Sequence, residues 1–174
     1  MSNNIILVGF MGTGKSTVGR ELSKCLNYKI VDTDQMIVDL AGKPIPKIFK
    51  DDGEPAFREI ETQVLVNLQE YQDHIISTGG GIIVSERNRD LLKKLGYVIW
   101  LIASPEEILD RTSRNVNRPL LNNDDPEGTI RKLLEVRTPL YDDVAHLSIE
   151  TDQLCFSEIC TGISESASYF FSKD

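Results

Sequence analysis

Short apolar runs alternate along the chain with longer segments whose apolar residues recur at helical spacing. The apolar runs have the length of strands and lie at Ile5–Val8, Lys29–Val31, Ile75–Ser77, Val98–Ile102 and Leu147–Ile149. The helical segments lie at Lys15–Leu26, Glu54–Glu70, Glu86–Leu95, Pro105–Ser113, Pro126–Val144 and Ser157–Phe171. Strands that alternate with helices predict a parallel sheet covered on both faces, so we expect an α/β fold with about five strands.

Two helix starts carry recognisable capping residues and enclose an irregular stretch. Ser104 stands before a proline and three residues before Glu107, which is the pattern of a capping box. Asp125, also followed by a proline, repeats the signal. Residues 114–124 between them are polar and irregular apart from a short PLL. A connection of this kind predicts a mobile lid.

Composition and charge fit an ordinary globular chain and argue against two classes of partner. The 174 residues are 40% hydrophobic and 26% charged, with no repeat, linker or composition break, so we expect a single domain over residues 1–174. The net charge of −8 argues against non-specific binding to nucleic acid or to a membrane surface, because both require a basic surface. A local arginine cluster could still bind a small anion.

The cysteines and the first residues favour a cytoplasmic protein. Cys25, Cys155 and Cys160 are odd in number and lack metal-site spacing, which is typical of reduced cysteines in the cytosol. The opening MSNNIILVGF indicates neither a signal peptide nor a membrane span. Nothing in the sequence indicates an interface, so a monomer is the default expectation. Whether the apolar ASYFF near the C-terminus packs internally or against a partner stays open.

The segment GFMGTGKST, from Gly9 to Thr17, fits the phosphate-binding P-loop pattern G-x-x-x-x-G-K-[ST]. It has the required context, with an apolar strand before it and an amphipathic helix after it. Its glycines let backbone N–H groups turn toward a phosphate at the positive end of a helix. Lys15 would reach the β- and γ-phosphates of a nucleotide, and Ser16 would hold Mg²⁺. GTPases, motor ATPases and small-molecule kinases share this loop, but the guanine-reading motif of GTPases is absent.

Two aspartates follow the second strand, in KIVDTDQMI. Many P-loop proteins place an acid for Mg²⁺ at the end of a strand, but the third strand here ends in Ser77 and Thr78, so another acid must take that role. Asp32 and Asp34 are two residues apart, and in an extended chain they point to the same side. Such a pair predicts a cation or a ligand rich in hydroxyl donors between them. The alternative is that Asp34 merely caps the next helix.

Two arginines and a run of three glycines complete the set of candidate residues. Arg58, in FREIE, and Arg137, in VRTPLY, each offer a guanidinium fork that fits a carboxylate or phosphate, although either alone also fits a surface ion pair. Gly79–Gly81, in STGGGIIV, follow a strand. One interpretation of these glycines is a flexible turn, and the other is the close approach of a ligand or of another backbone.

Together these motifs resemble those of the shikimate kinases, from Gly9 to Tyr141 and in the family's order. The resemblance rests on GFMGTGKST, DTD at residues 32–34, FREIE, STGGG, RPLL at residues 118–121 and VRTPLY. The combination of DTD, FREIE and TGGG distinguishes this family from other P-loop kinases far better than the P-loop does. Pro46, in GKPIPKIF, departs from the family, which usually has a polar or small residue at this position. The residue at which the helix of this segment begins is therefore left open.

The resemblance implies a reaction and an architecture. The reaction is phosphorylation of the 3-hydroxyl of shikimate by ATP with Mg²⁺, in aromatic amino-acid biosynthesis. The architecture is a three-layer P-loop kinase fold of the nucleoside-monophosphate-kinase type, with a five-stranded parallel sheet. It includes a substrate-binding helical segment at about residues 34–60 and a mobile lid at about residues 113–125.

The resemblance also implies a nucleotide site. ATP would lie on Gly12, Thr13, Gly14, Lys15, Ser16 and Thr17. Arg111 would lie against the adenine, and Arg118 would swing in with the lid to meet the transferring phosphate. Mg²⁺ would be held by Ser16 and, through water, by Asp32. Lys15 and Arg118 would thus be catalytic.

On the acceptor side, the resemblance implies that Arg58 and Arg137 grip the carboxylate of shikimate. Asp34 would be the third catalytic residue, because it would bind the hydroxyls and orient or deprotonate the attacking one. The ring would lie against an apolar floor and a glycine wall, formed by Phe49, Phe57, Gly79, Gly80 and Gly81. A side chain on one of these glycines would occupy the volume of the substrate.

Other functions stay open on the residues alone. Gluconate kinases and nucleoside-monophosphate kinases share the P-loop and the lid, and a nucleotide acceptor would use the two arginines for its phosphate. The DTD pair and the glycine wall favour a hydroxylated carbocycle instead. A regulatory module that binds ATP without turnover is a further alternative, against which the intact Lys15, Ser16, Asp32 and Asp34 argue.

Overall fold

A computed structural model describes residues 3–113 and 123–172 of the chain. Its centre is one sheet of five parallel strands in the order β2-β3-β1-β4-β5. The strands are β1 (Ile5–Val8), β2 (Lys29–Asp32), β3 (His74–Ser77), β4 (Tyr97–Ile102) and β5 (Leu147–Glu150). The predicted α/β class and parallel five-stranded sheet are confirmed, and each strand lies within a residue of its predicted bounds.

Eight helices connect and cover the strands in the described part of the chain. They are α1 (Lys15–Leu26), α2 (Thr33–Ala41), α3 (Ile45–Asp51), α4 (Gly53–Asn67), α5 (Glu86–Leu95), α6 (Pro105–Ser113), α7 (Pro126–Val144) and α8 (Phe156–Phe171). The predicted helix at Glu54–Glu70 is wrong at its end, because the α-helix stops at Asn67 and a 3₁₀ turn covers Leu68–Glu70. Helices α2, α3 and the start of α4 make up the segment expected to bind the substrate.

The sheet is packed on both faces, which gives the three predicted layers. Alternate residues of β1 point to opposite faces, as in any strand. Ile6 and Val8 join a core with α2 to α5 and α7, while Ile5 and Leu7 join a second core with α1 and α8. All four side chains are fully buried, so the central strand is fixed from both sides.

The helix starts next to the irregular stretch are capped as expected. The Ser104 hydroxyl accepts a hydrogen bond from the backbone N–H of Glu107 at 3.3 Å. The Asp125 carboxylate accepts one from the backbone N–H of Gly128 at 2.9 Å. Residues 114–122, the greater part of the expected lid, lie outside the described residues, so the lid stays a prediction. Pro46 is the second residue of α3, a position in the first turn that needs no N–H, and the helix therefore begins at Ile45.

The apolar C-terminal segment packs against its own chain. The rings of Phe170 and Phe171 lie 4.4 Å and 6.2 Å from the ring of Tyr97 on β4. The Tyr97 hydroxyl lies 2.6 Å from that of Ser166 on α8, so a buried tyrosine hydrogen bond closes this side of the sheet. Burial, together with Lys93, lowers the pKa of the adjoining His146, whose Nδ1 accepts the backbone N–H of Val98.

Within residues 3–113 and 123–172, no helix combines the length and the apolar character needed to cross a membrane.

Candidate active site

The P-loop lies between β1 and α1, where the carboxyl end of the central strand meets the first turn of a helix. Gly14, the residue before α1, has a φ of +91°, a left-handed conformation that a residue with a side chain rarely adopts. This turn leads directly into the positive end of a helix of 12 residues, which favours an anion. The ammonium of Lys15 donates hydrogen bonds of 2.8 Å to the carbonyl oxygens of Gly9 and Phe10, so it is held over the loop.

A cavity of about 530 Å³ lies over this loop. It is lined by Met11, Gly12, Gly14, Lys15, Ser16, Thr17, Asp32, Asp34, Ser77, Thr78, Gly79, Gly80, Arg111 and Phe156. The structure thus brings most of the predicted nucleotide residues together with both aspartates and two of the glycines. Thr13 is the exception in the loop, because it is buried and its hydroxyl donates to the Phe10 carbonyl oxygen at 2.8 Å. Thr13 therefore stabilises the P-loop through this internal hydrogen bond and does not line the cavity.

The two aspartates occupy different kinds of position, and the expectation of an extended pair was wrong. Asp32 ends β2 and caps α2, because its Oδ1 accepts the backbone N–H groups of Asp34 at 2.9 Å and Gln35 at 3.4 Å. Asp34 lies in the first turn of that helix, so the suggestion that Asp34 itself is the cap was also wrong. Both line the cavity nevertheless. Asp32 pairs in register with Ser77 of β3 and so lies beside the strand end that lacks an acid.

Two of the three glycines make room for charged side chains. A Cβ placed on Gly79 would lie 2.5 Å from Oδ1 of Asp34. A Cβ placed on Gly81 would lie 3.0 Å from both terminal nitrogens of Arg58. Since real Cβ atoms do not approach other atoms to 2.5 Å, a side chain at Gly79 would displace the Asp34 carboxylate.

The middle glycine makes room for the P-loop. A Cβ on Gly80 would lie 3.3 Å from both the carbonyl oxygen of Gly9 and the backbone nitrogen of Met11. The expectation that another backbone approaches the glycines closely is therefore confirmed at Gly80, and the implied contact with the substrate stays a prediction. The first atoms that a new side chain would meet belong to the protein, and the triplet joins the phosphate loop to the aspartate and the arginine.

Arg58 is held by Glu61, a buried acid to which sequence reasoning assigned no role. Its Nη1 donates to Oε2 of Glu61 at 3.0 Å and to the Gly81 carbonyl oxygen at 3.2 Å. The same Oε2 accepts Nδ2 of Asn88 at 3.2 Å. Glu61 is 1% exposed, and burial raises its pKa against the opposing effect of Arg58. The spacing of Arg58 and Glu61, one helical turn apart in FREIE, is the signal that could have found this pair.

Arg137, the second predicted arginine, lies on α7 and contacts the glycine triplet. Arg137 is 9% exposed, its Nη1 lies 3.4 Å from the Gly80 carbonyl oxygen, and its guanidinium lies 5.6 Å from the centre of the Phe10 ring. Arg58 and Arg137 therefore contact neighbouring glycine carbonyls, although neither lines the cavity over the P-loop. Their positive charges flank the wall, as a site for a carboxylate requires.

The two phenylalanines form a pair beside Arg58. The ring centres of Phe49 and Phe57 are 4.6 Å apart, and the guanidinium of Arg58 lies 5.1 Å from the Phe57 ring. Phe57 is buried and Phe49 is 40% exposed. Neither lines the cavity over the P-loop, so their assignment to an apolar floor stays a prediction.

An aromatic residue at the nucleotide end was also missed. Phe156, the first residue of α8, is 47% exposed and lines the cavity together with Arg111. Arg111 is held by Glu107 at 2.6 Å and by the Gly12 carbonyl oxygen at 3.2 Å. An exposed aromatic ring and a fixed guanidinium are surfaces on which a planar base can stack. Arg118 lies outside the described residues, so its role stays a prediction.

The oxygen donors at the cavity fit Mg²⁺ that arrives with a nucleotide. Ser16 and Asp32 offer hydroxyl and carboxylate oxygens, which Mg²⁺ prefers. Across residues 3–113 and 123–172, no group of three or more His, Cys, Asp or Glu side chains is arranged to hold a metal. Mg²⁺ in kinases is compatible with this, because one or two protein ligands suffice when phosphates and water supply the others.

Comparison with known proteins gives consistent matches over most of the chain. Residues 11–168 match the family model described as shikimate kinase. A shikimate kinase of Marinomonas sp. (strain MWYL1) is 49% identical over 151 residues, 86% of this chain and 83% of that protein. The structure of shikimate kinase from Acinetobacter baumannii in complex with shikimate aligns with a TM-score of 0.89 at 43% identity, covering 95% of this chain and 92% of that one.

One alternative from the sequence also has a counterpart among solved structures. A gluconokinase from Sinorhizobium meliloti 1021 aligns with a TM-score of 0.61, covering 98% of this chain and 97% of that one, but at 16% identity. That likeness concerns the fold alone. The family model and the 49% identical relative, by contrast, cover most of the sequence, and they show that this chain belongs to the shikimate kinase family.

Proposed function

We propose that this chain transfers the γ-phosphoryl group of ATP to the 3-hydroxyl of shikimate in the cavity over the P-loop. Membership of the shikimate kinase family supports the reaction, which is ATP-dependent phosphorylation of shikimate in the shikimate pathway. The observation in this chain that supports the site is the glycine triplet. It places Asp34, the backbone of the P-loop and Arg58 around one short segment, which joins a phosphate site to a site for a hydroxylated acid.

The donor half of the site positions and neutralises phosphates, which is most of what phosphoryl transfer requires. The first N–H groups of α1 would face the phosphates. Lys15 would exchange its two P-loop carbonyl partners for phosphate oxygens, whose negative charge it neutralises. Arg111 and Phe156, which line the same cavity, would hold the base between a guanidinium and a ring.

Mg²⁺ would be held by Ser16 and Asp32 together with the phosphates. When bound, the ion neutralises charge on the transferring group and helps align it. Asp32 is already oriented, because one of its oxygens accepts two backbone N–H groups at the start of α2. Its side chain therefore has little freedom to lose when the metal binds.

The acceptor half of the site would bind the carboxylate and the hydroxyls of shikimate. Arg58 donates from Nε and Nη2 to one oxygen of Glu54, at 3.2 Å and 3.0 Å. Glu54 is 62% exposed, and exposed ion pairs contribute little, so an acid substrate can replace it. Glu61 would meanwhile keep the guanidinium in place from the buried side. Arg137 would supply the second positive charge.

Asp34 would bind the hydroxyls and act on the attacking one. Its carboxylate lies against Gly79, in the cavity that also contains Lys15. From there it would accept the proton of the 3-hydroxyl as the oxygen attacks the γ-phosphorus. A carboxylate in this place also orients the hydroxyl before transfer, which positions the nucleophile for in-line attack.

The proposal is tested by measuring ADP release with Mg-ATP and one acceptor at a time: shikimate, gluconate, AMP, CMP or none. We expect rapid turnover with shikimate and background rates with the others, because they lack the combination of a ring carboxylate and ring hydroxyls. Turnover with gluconate or a nucleotide would contradict the acceptor assignment. ATP binding without turnover on any acceptor would favour the regulatory module.

A second prediction concerns Arg58. An Arg58→Lys enzyme keeps a positive charge beside buried Glu61 but loses the two-nitrogen fork. We expect the KM for shikimate to rise about tenfold or more and the Kd for ATP to stay within about twofold. The matched control is Arg87→Lys, an exposed residue of α5 whose partner Glu59 is 3.7 Å away. Equal losses for shikimate and ATP would instead indicate a damaged fold.

We further propose that the enzyme is monomeric and cytoplasmic, and that residues 113–125 close over the bound substrates. The reduced cysteines support a reducing compartment, since Cys25, Cys155 and Cys160 are all free thiols. Closure of a lid would exclude water and so limit hydrolysis of ATP.

A further inference from the structure

We propose that Tyr141 is a positioning residue for the glycine wall, which we define as Gly79–Gly81. Its buried hydroxyl fixes the carbonyl of Gly80 and thereby the orientation of the peptide unit between Gly80 and Gly81. This inference rests on the proposed function, because that wall borders the acceptor site. Tyr141 belongs to the VRTPLY motif, in which sequence reasoning assigned a role to Arg137 alone.

The geometry of Tyr141 is that of a fixed donor. Its side chain is fully buried, and its hydroxyl donates to the Gly80 carbonyl oxygen at 2.5 Å. Its ring stacks on Trp100 of β4, with ring centres 5.7 Å apart and planes 19° from parallel. The position of the hydroxyl is therefore set by the central sheet and by α7, both of which are rigid elements.

The hydroxyl is also a permanent donor. Burial raises the pKa of Tyr141 far above its usual value, so the hydroxyl keeps its proton at any pH at which the enzyme works. Arg137 offers the same carbonyl a longer contact of 3.4 Å. Removing the hydroxyl would therefore leave the Gly80 carbonyl with the weaker of its two partners.

The hydrogen bonds described for the Gly80 carbonyl come from side chains of α7, whereas each neighbouring carbonyl accepts a backbone N–H close in sequence, and that of Gly81 also accepts Nη1 of Arg58. The carbonyl of Gly79 accepts from Ile82 and that of Gly81 from Val84, both within the same 3₁₀ turn. The carbonyl of Gly80 is held from α7, 61 residues away along the chain. Because C=O and N–H point in opposite directions in a trans peptide, fixing this carbonyl also fixes the N–H of Gly81.

The consequence for catalysis follows from what surrounds Gly80. The residue lies against the P-loop backbone, between the glycine that contacts Asp34 and the one that contacts Arg58. A rotation of its peptide would change the distance between the phosphate loop and the acceptor groups. Catalysis is sensitive to such shifts, since misplacement by about 1 Å can cost about 10²-fold in rate.

The test compares Tyr141→Phe with Tyr97→Phe, because both remove one buried tyrosine hydroxyl and keep the ring. Tyr97 hydrogen-bonds Ser166 at 2.6 Å on the side of the sheet covered by α8. We expect kcat/KM for shikimate to fall about tenfold or more in Tyr141→Phe and to change less than about twofold in Tyr97→Phe. The Kd for ADP should stay within about twofold in both, while thermal unfolding shifts downward similarly.

An NMR measurement makes the test independent of the acceptor. The backbone amide resonances of Gly80 and Gly81 should shift in Tyr141→Phe and stay in place in Tyr97→Phe. Shifted amides together with the selective loss of activity would support the positioning role. Unshifted amides, or equal activity of the two variants, would overturn it. If the wild-type chain fails to turn over shikimate, the proposed function fails, and the amide shifts still decide the role of Tyr141.

Discussion

A Lys15→Met enzyme is expected to lose about 10³-fold or more in kcat while keeping its fold. The reason is electrostatic, because charge on the phosphates must be neutralised as the γ-phosphoryl group leaves. Methionine keeps much of the side-chain length and apolar stem but carries no charge and no donor. Lys15 is 9% exposed, so bulk water cannot easily take over its role.

The measurement is kcat for ADP release with shikimate, accompanied by thermal unfolding of each variant. Lys24→Met is the matched control, because Lys24 lies on the same helix, is 70% exposed and pairs with Glu21 on the surface. This control should retain wild-type turnover. Normal turnover in Lys15→Met would rule out the phosphate role of the lysine, whereas a large loss of thermal stability would attribute the lost rate to unfolding.

The second large effect is expected for Asp34→Asn, with kcat lowered on the order of 10²–10⁴-fold. An amide can still hydrogen-bond the hydroxyls of shikimate but cannot accept the proton of the attacking one. The KM for shikimate should therefore change much less than kcat. A modest loss of stability should accompany the change, because a carboxylate in the first turn of α2 interacts favourably with the helix dipole, by about 0.3–1 kcal/mol.

Asp39→Asn is the control for this variant. Asp39 lies on the same helix and accepts a hydrogen bond from Gln35 on the surface, at 2.8 Å. Its replacement tests the effect of an Asp-to-Asn change on α2 without touching the cavity, and kcat should stay unchanged. If Asp34→Asn lost less than about tenfold in kcat, Asp34 would be a residue that positions the hydroxyl and not the base.

The sheet was predictable because its inner strands are continuous apolar runs. Runs such as IILV and VIWLI are buried on both faces, and few other structures bury them so completely. The P-loop was predictable for a related reason, since glycines, lysine and serine at fixed spacing between a strand and a helix have few alternative explanations.

The turn after β2 was harder to predict. The sequence Asp32-Thr33-Asp34 is compatible with an extended strand end or with a helix start, and two aspartates offer two possible caps. Asp32 is the cap because its Oδ1 accepts hydrogen bonds from the N–H groups of Asp34 and Gln35. Helix α2 therefore begins directly after it, at Thr33. Local propensity alone does not distinguish these structures, because the competing hydrogen bonds use the same side chains.

Tyr141 and Phe156 were missed because their contacts are long-range, unlike that of Glu61, whose partner Arg58 is one helical turn away. Tyr141 meets Gly80 across 61 residues, and Asn88 meets Glu61 across 27. Phe156 reaches the cavity because β5 is parallel to β4 and delivers the next helix to the same edge of the sheet. Sequence spacing within one element indicates which residues share a face, but contacts between elements depend on how the sheet assembles.

The glycine wall also limits how this enzyme can change its acceptor during evolution or by design. Each glycine excludes a side chain for a different reason, namely the Asp34 carboxylate, the P-loop backbone or the Arg58 guanidinium. One compensating substitution elsewhere therefore cannot make room at all three positions. A change of acceptor specificity is therefore expected at residues outside the triplet, such as the predicted floor residue Phe49 on α3, which is 40% exposed. The three glycines are therefore expected to resist substitution independently of one another, each because of its own neighbour.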